Sequence, residues 1–329
     1  MTAGEPTALP APAPALLDTT DMSISLVLGS GGARGYAHIG VIEELQAQGF
    51  AIRSIAGSSM GALVGGIHAT GKLADFSAWV RPMLRLDVLR LLDWTITGGG
   101  FIKGDRIIGA LRELIGDIDI EELPIPFTAV AVDLDAQREV WFSRGPLFDA
   151  VRASIAIPTI FRPHYYQGRL LVDGGLLNPL PVSPTLRDMT DATIGVDVNA
   201  SPEPQPSHPA IHMPASERVG EADHEIEPRR VRHRGRIARF IEAQIEKHER
   251  RTFASTEPGA FELFARSLDV VQETITRLKL AAQPPDLLIT IPRNACAFYE
   301  FHRAEEMIEL GRRRTREALA RWAPVRRSR

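Results

Sequence analysis

A serine between small residues, at the junction of a predicted strand and a predicted helix, constrains this chain more than any other feature. Gly57-Ser58-Ser59-Met60-Gly61 follows the apolar run Ile52 to Ala56 and precedes the helix-compatible Ala62-Leu63-Val64. Glycines on both sides allow a sharp turn that exposes one serine hydroxyl at the positive end of the next helix. Ser59 is therefore the candidate nucleophile. A Gly-Ser connection without a catalytic role is the alternative for the pentapeptide alone.

A glycine-rich loop, Gly29-Ser30-Gly31-Gly32-Ala33-Arg34-Gly35, follows the first predicted strand, Ile24 to Leu28, and precedes a helical pattern from Tyr36 to Gln48. This order also resembles a dinucleotide fingerprint, but Arg34 stands where the third glycine should be, and no acidic residue ends the next strand. Successive N–H groups at a helix start can instead stabilise an oxyanion. The loop and Ser59 are then expected side by side in a parallel sheet. Arg34 either orients the loop or forms a surface ion pair.

An activated serine needs a base, and Asp173 is a better candidate than any of the nine histidines. Asp173 ends a short predicted strand, and the two glycines that follow leave room around its carboxylate. Strand ends carry the catalytic groups of open α/β sheets. An ordinary Asp-Gly-Gly turn is the alternative, and His164 is the histidine least badly placed to serve as a base.

Composition divides the chain into four segments. Residues 1–22 form an Ala- and Pro-rich leader, which we expect to be disordered and which lacks the features of a signal peptide. Residues 23–199 carry the site motifs and form the predicted catalytic core, and residues 200–236 form a Pro- and Arg-rich loop or insertion. Residues 237–329 form a C-terminal helical region that completes the domain and ends in a basic tail.

Two local predictions concern the helices that follow Ser59. The stretch from Trp79 to Trp94 is strongly apolar but carries three arginines. We favour a buried core helix for this stretch over a lid or a lipid-facing helix. Asp105 is expected to cap a helix from Arg106 to Ile115.

Composition also indicates the cellular compartment and the kinds of partner to expect. A formal net charge of -3 with 24% charged residues is ordinary for a globular protein, and we expect no nucleic-acid partner. The single cysteine, Cys296, cannot form an internal disulfide, which favours a reducing compartment. No apolar run approaches the roughly 20 residues of a membrane span. We expect a cytoplasmic protein, either free or in peripheral contact with an anionic membrane, and its oligomeric state stays open.

The motifs are more specific in combination than alone. Gly29 to Gly35, Gly57 to Gly61 and Asp173 to Gly175, in this order, resemble the motifs of the patatin-like phospholipases. Arg152 to Pro158 and Val140 to Ser143 are similar to stretches of the bacterial branch related to neuropathy target esterase. No departure from the family pattern falls on a catalytic position.

The resemblance extends from about Ser23 to Val198. It implies a three-layer α/β/α sandwich around a mostly parallel central sheet, and a serine–aspartate dyad that hydrolyses acyl esters of lipids. Carried over residue by residue, Ser59 is the nucleophile and Asp173 the base. The backbone amides expected to form the oxyanion hole are those of Gly31, Gly32, Ala33 and Arg34. The resemblance implies no metal and no cofactor.

These observations leave three functional hypotheses. The first is a serine acyl hydrolase that cleaves fatty-acyl esters of phospholipids or lysophospholipids. The second is a general carboxylesterase without a membrane role, which a preference for acyl chain length would distinguish. The third is a regulatory or adaptor protein on the same fold, which binds partners or anionic membranes through its arginine-rich segments.

Overall fold

The fold is given by a computed structural model, which describes residues 22–95, 99–204 and 260–322. The predicted leader up to residue 21, most of the 200–236 loop, residues 237–259 and the basic tail lie outside these residues. The proposed segment boundaries therefore stay predictions. Contacts divide the chain into two units, Met1–Pro202 with Val270–Arg329, and Glu203–Asp269. Of the second unit, the structure describes residues 203–204 and 260–269, the latter forming the first part of a long helix.

A mixed sheet lies at the centre of the first unit. Its main part has the strand order β10-β9-β1-β2-β4-β8-β7, with β5 added to β4, while β3 and β6 pair separately. The run from β10 to β4 is parallel, and β5, β7 and β8 join it in antiparallel fashion. The strands are β1 Ser23–Leu28, β2 Ala51–Ser58, β3 Gly100–Ile102, β4 Phe127–Asp133, β5 Arg138–Phe142, β6 Thr159–Phe161, β7 His164–Tyr166, β8 Arg169–Asp173, β9 Ala192–Ala200 and β10 Leu287–Pro292.

Helices flank this sheet, and the predicted fold class, an α/β sandwich around a mostly parallel sheet, is confirmed. Helix α2 packs on β2 and β4, α6 on β4 and β8, and α8 on β10. Within the described residues, no helix is both long enough and apolar enough to cross a bilayer. The helices are α1 Ala37–Ala47, α2 Met60–Ala69, α3 Leu73–Val80, α4 Arg85–Leu91, α5 Asp105–Ile115, α6 Leu147–Ser154, α7 Ala260–Ala282 and α8 Ala304–Arg321.

Helices α1 and α8 cross at a distance that only glycine permits. A Cβ atom on Gly40 would lie 1.9 Å from the carbonyl oxygen of Ile308, and one on Gly311 would lie 2.1 Å from that of Ala37. Because real Cβ atoms do not approach backbone oxygens so closely, larger residues at either position would push the helices apart. The carboxyl-terminal part of the chain is thereby held against the helix that follows the glycine loop.

The prediction of a buried helix between Trp79 and Trp94 is wrong for its second half. Helix α3 ends at Val80, and none of the residues of α4 is buried. Arg85 and Arg90 are five residues apart, or about 140° around the helix axis. Charged side chains therefore flank the leucines of α4 on two sides, and α4 has no wide apolar face to bury.

The prediction that Asp105 caps α5 is also wrong, because Asp93 does so. One carboxylate oxygen of Asp93 accepts the amide of Gly104 at 2.7 Å, and the other accepts those of Asp105 and Arg106 at 2.9 and 3.2 Å. Asp105 is the first residue of the helix, where its charge complements the helix dipole. The cap ties the loop after α4 to the start of α5.

Candidate active site

Strand β2 leads Ser59 into a tight turn before α2. Ser59 has φ 55° and ψ -123°, a backbone conformation that typically costs a non-glycine residue about 1–3 kcal/mol. A Cβ atom on Gly61 would lie 2.1 Å from the carbonyl oxygen of Leu28, and one on Gly57 would lie 2.4 Å from that of Gly61. Close backbone approach therefore requires glycine on both sides of the serine.

Strand register brings Ser59 and Asp173 together across β4. Ser58 lies opposite Val130 in the pairing of β2 with β4, and Asp173 lies opposite Ala131 in the pairing of β4 with β8. The Ser59 hydroxyl donates a hydrogen bond of 2.6 Å to Oδ2 of Asp173. Both residues are 3% exposed. Two of the sequence-predicted site residues thus lie in direct contact in a nearly dry environment.

Burial tunes the Asp173 carboxyl. Its Oδ1 accepts the amide of Gly175 at 2.7 Å, and its own amide donates to the carbonyl of Ala156 at 2.9 Å. Desolvation raises the pKa of Asp173 to about 7, and the hydrogen bonds from Ser59 and Gly175 limit the rise. Because basicity follows pKa, the ionised form of this carboxylate is a stronger base than an ordinary aspartate.

A second serine orients the turn that carries the first. The amide of Ser59 donates to Oγ of Ser154 at 2.8 Å, and the Ser154 hydroxyl donates to the carbonyl of Val130 at 2.6 Å. Ser154 ends α6 and is fully buried. Sequence reasoning assigned it no role, and the only signal was its place in the stretch from Arg152 to Pro158 that resembles the family.

The glycine loop lies beside the Ser59–Asp173 pair. The loop leaves β1 and forms a short 3-10 helix, Gly32–Tyr36. A Cβ atom on Gly35 would lie 2.4 Å from Cβ of Met60, the residue after Ser59. A Cβ atom on Gly175 would lie 2.9 Å from the Ser30 hydroxyl oxygen. The loop therefore contacts both the turn that carries Ser59 and the turn that follows Asp173.

Of the four amides expected in the oxyanion hole, that of Ala33 is engaged elsewhere. It donates to the carbonyl of Phe298 at 2.8 Å. Among the described residues, no hydrogen-bond acceptor contacts the amides of Gly31 and Gly32. Gly32 has φ 55°, and a Cβ atom there would lie 2.4 Å from the Phe298 carbonyl oxygen. Gly31 and Gly32 are consequently better candidates for oxyanion donors than Ala33, and Arg34 has a second role through its side chain.

The Arg34 side chain is buried, so the surface ion pair is excluded and the orienting role remains. Its Nε donates to the carbonyl of Val198 at 3.1 Å, and one guanidinium nitrogen reaches the carbonyls of Arg293 and Cys296, each at 3.3 Å. The other donates to Oδ1 of Asn199 at 2.6 Å. Arg34 therefore fastens the glycine loop to the end of β9 and to the segment after β10.

A buried amide pair extends this network to α7. Asn199 donates through Nδ2 to the carbonyl of Ser30 at 2.8 Å and to Oε1 of Gln272 at 3.0 Å, and the Ser30 hydroxyl donates to the same Oε1 at 3.2 Å. Nε2 of Gln272 lies 2.6 Å from the position of a Cβ atom on Gly175. Sequence reasoning missed both amides, because they are 73 positions apart and belong to no local motif.

The histidines have other environments. Nε2 of His164 lies 3.6 Å from a carboxylate oxygen of Asp149, while the Ser59 hydroxyl is bonded to Asp173. His38 is fully buried, with Nε2 2.8 Å from the carbonyl of Gly29, and burial lowers the pKa of His38 to about 4. A neutral imidazole can only donate to a carbonyl, so His38 donates through Nε2 to Gly29, the first residue of the glycine loop.

The arrangement combines a serine hydroxyl, a carboxylate of raised pKa and loop amides, the parts that nucleophilic acyl transfer requires. The described ranges contain no group of three or more His, Cys, Asp or Glu side chains placed to hold a metal ion.

Known proteins are similar to this chain in sequence. Residues 26–186 match the family model described as patatin-like phospholipase. An uncharacterised NTE family protein of Mycobacterium tuberculosis is 42% identical over 342 residues, which cover 94% of this chain and 95% of that protein. Neuropathy target esterase of Drosophila persimilis is 35% identical over 171 residues, 49% of this chain and 12% of the fly protein. Among solved structures, VipD of Legionella pneumophila matches 91% of this chain and 66% of its own, with a TM-score of 0.41 and 13% identity.

The family model and the relatives place the chain in the class of proteins described as patatin-like phospholipases. Within that class, the chain belongs to the NTE family of patatin-like phospholipases, as the motif order predicted.

Proposed function

We propose that the protein is a serine acyl hydrolase that cleaves fatty-acyl esters of phospholipids or lysophospholipids, with Ser59 as nucleophile and Asp173 as base. The hydrogen bond of 2.6 Å between Ser59 Oγ and Asp173 Oδ2 carries the proposal. A strained serine, buried against a carboxylate of raised pKa, serves no evident packing purpose. Family membership supports lipid esters as the substrate class.

In the first half of the reaction, Ser59 Oγ attacks the ester carbonyl carbon while its proton passes to Asp173. The carbonyl oxygen becomes an oxyanion, which the amides of Gly31 and Gly32 stabilise; one such donor is typically worth about 3–4 kcal/mol. When the tetrahedral intermediate collapses, the bond to the alcohol oxygen breaks and the alcohol takes the proton from Asp173. The acyl group remains on Ser59 as an ester.

In the second half, water attacks the acyl carbon and gives a proton to Asp173. The same amides stabilise the second oxyanion. The bond between the acyl carbon and Ser59 then breaks, Ser59 recovers a proton from Asp173, and the fatty acid leaves. A cytoplasmic protein acting in this way meets its substrate through peripheral contact with a lipid surface.

The raised pKa of Asp173 gives the proposal a pH signature. Asp173 accepts a proton only when ionised, so kcat/KM should rise with pH through an apparent pKa of about 7. Initial rates on a soluble ester between about pH 5 and pH 9 measure this limb. A rate that stays constant across the range would contradict the assignment of Asp173 as the base.

The decisive experiment is labelling with a fluorophosphonate, followed by peptide mapping. Wild type should carry the adduct on Ser59, Ser59→Ala should carry none, and Asp173→Asn should be labelled far more slowly. Ser58→Ala is the matched control, because Ser58 is adjacent and buried but its hydroxyl has no hydrogen-bond partner. It should label as wild type does. No adduct in folded wild type would contradict the proposal.

A further inference from the structure

Large apolar side chains are exposed on and beside helix α4 and strand β3. Leu84 and Leu86 are 69% and 47% exposed, and Trp94 and Phe101 are 49% and 59% exposed. Isolated exposed leucines are common, but a run of aliphatic and aromatic side chains along one segment marks an interaction surface. We call residues 84–95 and 99–103 the α4–β3 segment.

Backbone contacts hold the two parts of the α4–β3 segment together. Trp94 forms an isolated antiparallel bridge with Ile102, and the amide of Thr95 donates to the carbonyl of Phe101 at 2.8 Å. The amide of Lys103 donates to the carbonyl of Asp93 at 3.0 Å. Trp94 and Phe101 therefore belong to two backbone segments that are hydrogen-bonded to each other.

The α4–β3 segment is joined to the stretch that positions the Ser59–Asp173 pair. β3 pairs in parallel with β6, and β6 begins five residues after Ser154. Ser154 accepts the Ser59 amide, and the carbonyl of Ala156 accepts that of Asp173. Apolar side chains of the segment thus lie on the same supporting structure as the proposed catalytic residues.

Four exposed cations lie in or beside the α4–β3 segment, and of the three carboxylates in this stretch Asp87 and Asp93 are engaged while Asp105 is exposed. Asp93 accepts three amides at the start of α5, and Asp87 bonds the amide of Leu84 and the guanidinium of Arg90. The Arg90 side chain is nevertheless 76% exposed. The exposed cations are Arg85, Arg90, Lys103 and Arg106. Apolar and aromatic side chains with a cationic rim fit the boundary between the headgroups and acyl chains of an anionic lipid layer.

We propose that the α4–β3 segment is the surface through which this protein docks on anionic phospholipid. Leu84, Leu86, Trp94 and Phe101 enter the acyl region, and the surrounding cations contact phosphate groups. The inference rests on the proposed function, since a lipid hydrolase meets its substrate at such a surface. It goes beyond the proposed function by naming the residues that bind the lipid surface. None of these residues takes part in the proposed reaction.

Vesicle binding tests the apolar part. The full-length Ser59→Ala protein, which cannot turn over lipid, is sedimented with vesicles of phosphatidylglycerol and phosphatidylcholine. Adding Leu84→Ser and Leu86→Ser should weaken binding about tenfold, because interfacial affinity follows the apolar area that enters the lipid. The matched control is Leu186→Ser with Met189→Ser, 58% and 98% exposed. These residues flank Asp188, which bonds Ser25 and Ser54 rather than the site, and should leave binding unchanged.

Vesicles of graded charge test the cations. Arg85→Gln with Arg90→Gln should reduce the preference for phosphatidylglycerol over phosphatidylcholine and flatten the salt dependence of binding. Arg53→Gln is the control, because Arg53 is an exposed arginine on β2 and not part of the segment. Equal losses in the two variants would overturn the role of the segment's cations.

Depth of insertion provides a readout that does not depend on serine substitutions. Brominated phosphatidylcholine should quench the tryptophan fluorescence of wild type, and the conservative Trp94→Phe change should remove most of the quenching. Quenching that persists in Trp94→Phe would overturn the assignment, as would a dimer that dissociates in Leu84→Ser with Leu86→Ser while vesicle binding is unchanged.

Activity separates failure of the inference from failure of the proposed function. With Ser59 intact, the leucine variants should hydrolyse a soluble short-chain ester within about twofold of wild type and vesicular phospholipid about tenfold more slowly. Equal activity of these variants on both substrates would overturn the docking surface alone. Absence of hydrolysis in folded wild type, on either substrate, would overturn the proposed function.

Discussion

Two helices downstream of Ser59, α2 and α4, have opposite surroundings although both are rich in apolar residues. Every residue of α2, from Met60 to Ala69, is buried, and no residue of α4, from Arg85 to Leu91, is buried. The difference lies in side-chain size and charge. Three glycines and two alanines let α2 approach the sheet, whereas α4 carries leucines between two arginines.

The glycines of α2 pack closely against neighbouring side chains. A Cβ atom on Gly65 would lie 2.8 Å from a side-chain carbon of Ile55, and one on Gly66 would lie 3.0 Å from a side-chain carbon of Leu147. The comparison teaches that hydrophobicity alone does not predict burial. A helix enters the core when one of its surfaces is smooth enough to pack and free of charge.

The largest expected effect lies at the buried end of this comparison, where Ser59 precedes α2. Asp173→Asn removes the proposed acceptor of the Ser59 proton and should lower kcat roughly 10³- to 10⁴-fold. Steady-state rates on a soluble ester measure the loss. If the variant retained a tenth or more of wild-type activity, Asp173 would not be the base. The burial of α2 behind Ser59 would then have no connection with catalysis.

The pH dependence of protein stability tests how strongly the Asp173 carboxylate is desolvated. Asp173 has a raised pKa in the folded protein, so its stabilising contribution is complete below about pH 4 and is lost as the pH rises through about 7. A shift of about three units corresponds to roughly 4 kcal/mol. Because Asp173→Asn cannot ionise, urea unfolding should show the variant gaining stability relative to wild type by this amount between about pH 4 and pH 8. A constant difference would indicate a hydrated carboxylate.

A matched pair of alanine substitutions sharpens the packing contrast. Gly61→Ala places a Cβ atom 2.1 Å from the Leu28 carbonyl oxygen and should lower the free energy of unfolding by about 3 kcal/mol. Leu86→Ala, on α4, removes a side chain that is 47% exposed and should cost less than about 1 kcal/mol. Denaturant melts of the two variants would break the comparison if the costs were equal.

The smallest expected effect concerns the amide network behind the glycine loop. Gln272→Leu leaves Asn199 and the Ser30 hydroxyl without a shared acceptor, and it should reduce kcat about tenfold with little change in KM. Thr274→Leu is the control, because Thr274 is an exposed position two residues further along α7. If kcat of Gln272→Leu matched that of the control, Gln272 would have no positioning role.

Local patterns predicted the parts of the molecule that depend on local sequence. The apolar run of β1 and the glycine spacing around Ser59 predicted the first strand and the tight turn at Ser59, because both follow from backbone sterics within a few residues. The order of the motifs predicted the family, which the relatives confirm, and a role for Asp173, which stays a prediction. The 2.6 Å contact that joins Asp173 to Ser59 depends on two strand pairings, and no periodicity encodes those.

Contacts between distant segments account for what the sequence did not reveal. The Asp93 cap, the Ser154 hydroxyl behind Ser59 and the engaged Ala33 amide each depend on a partner outside their own element. The exposure of α4 could have been anticipated from Arg85 and Arg90, whose angular separation leaves no wide apolar face. The roles of Ser59, Asp173 and the loop amides stay predictions until the labelling experiment is done.

The bond from Ala33 to the carbonyl of Phe298 has a consequence for biosynthesis. Ribosomes synthesise the glycine loop long before Phe298, so the Ala33 amide cannot form this hydrogen bond until Phe298 has also been made. The guanidinium of Arg34 likewise cannot donate to the carbonyls of Arg293 and Cys296 until those residues have been made. Under the proposed function, a nascent chain that already contains Ser59 and Asp173 therefore still lacks the loop arrangement that would stabilise an oxyanion, and hydrolysis of lipid esters would begin only after the chain has folded.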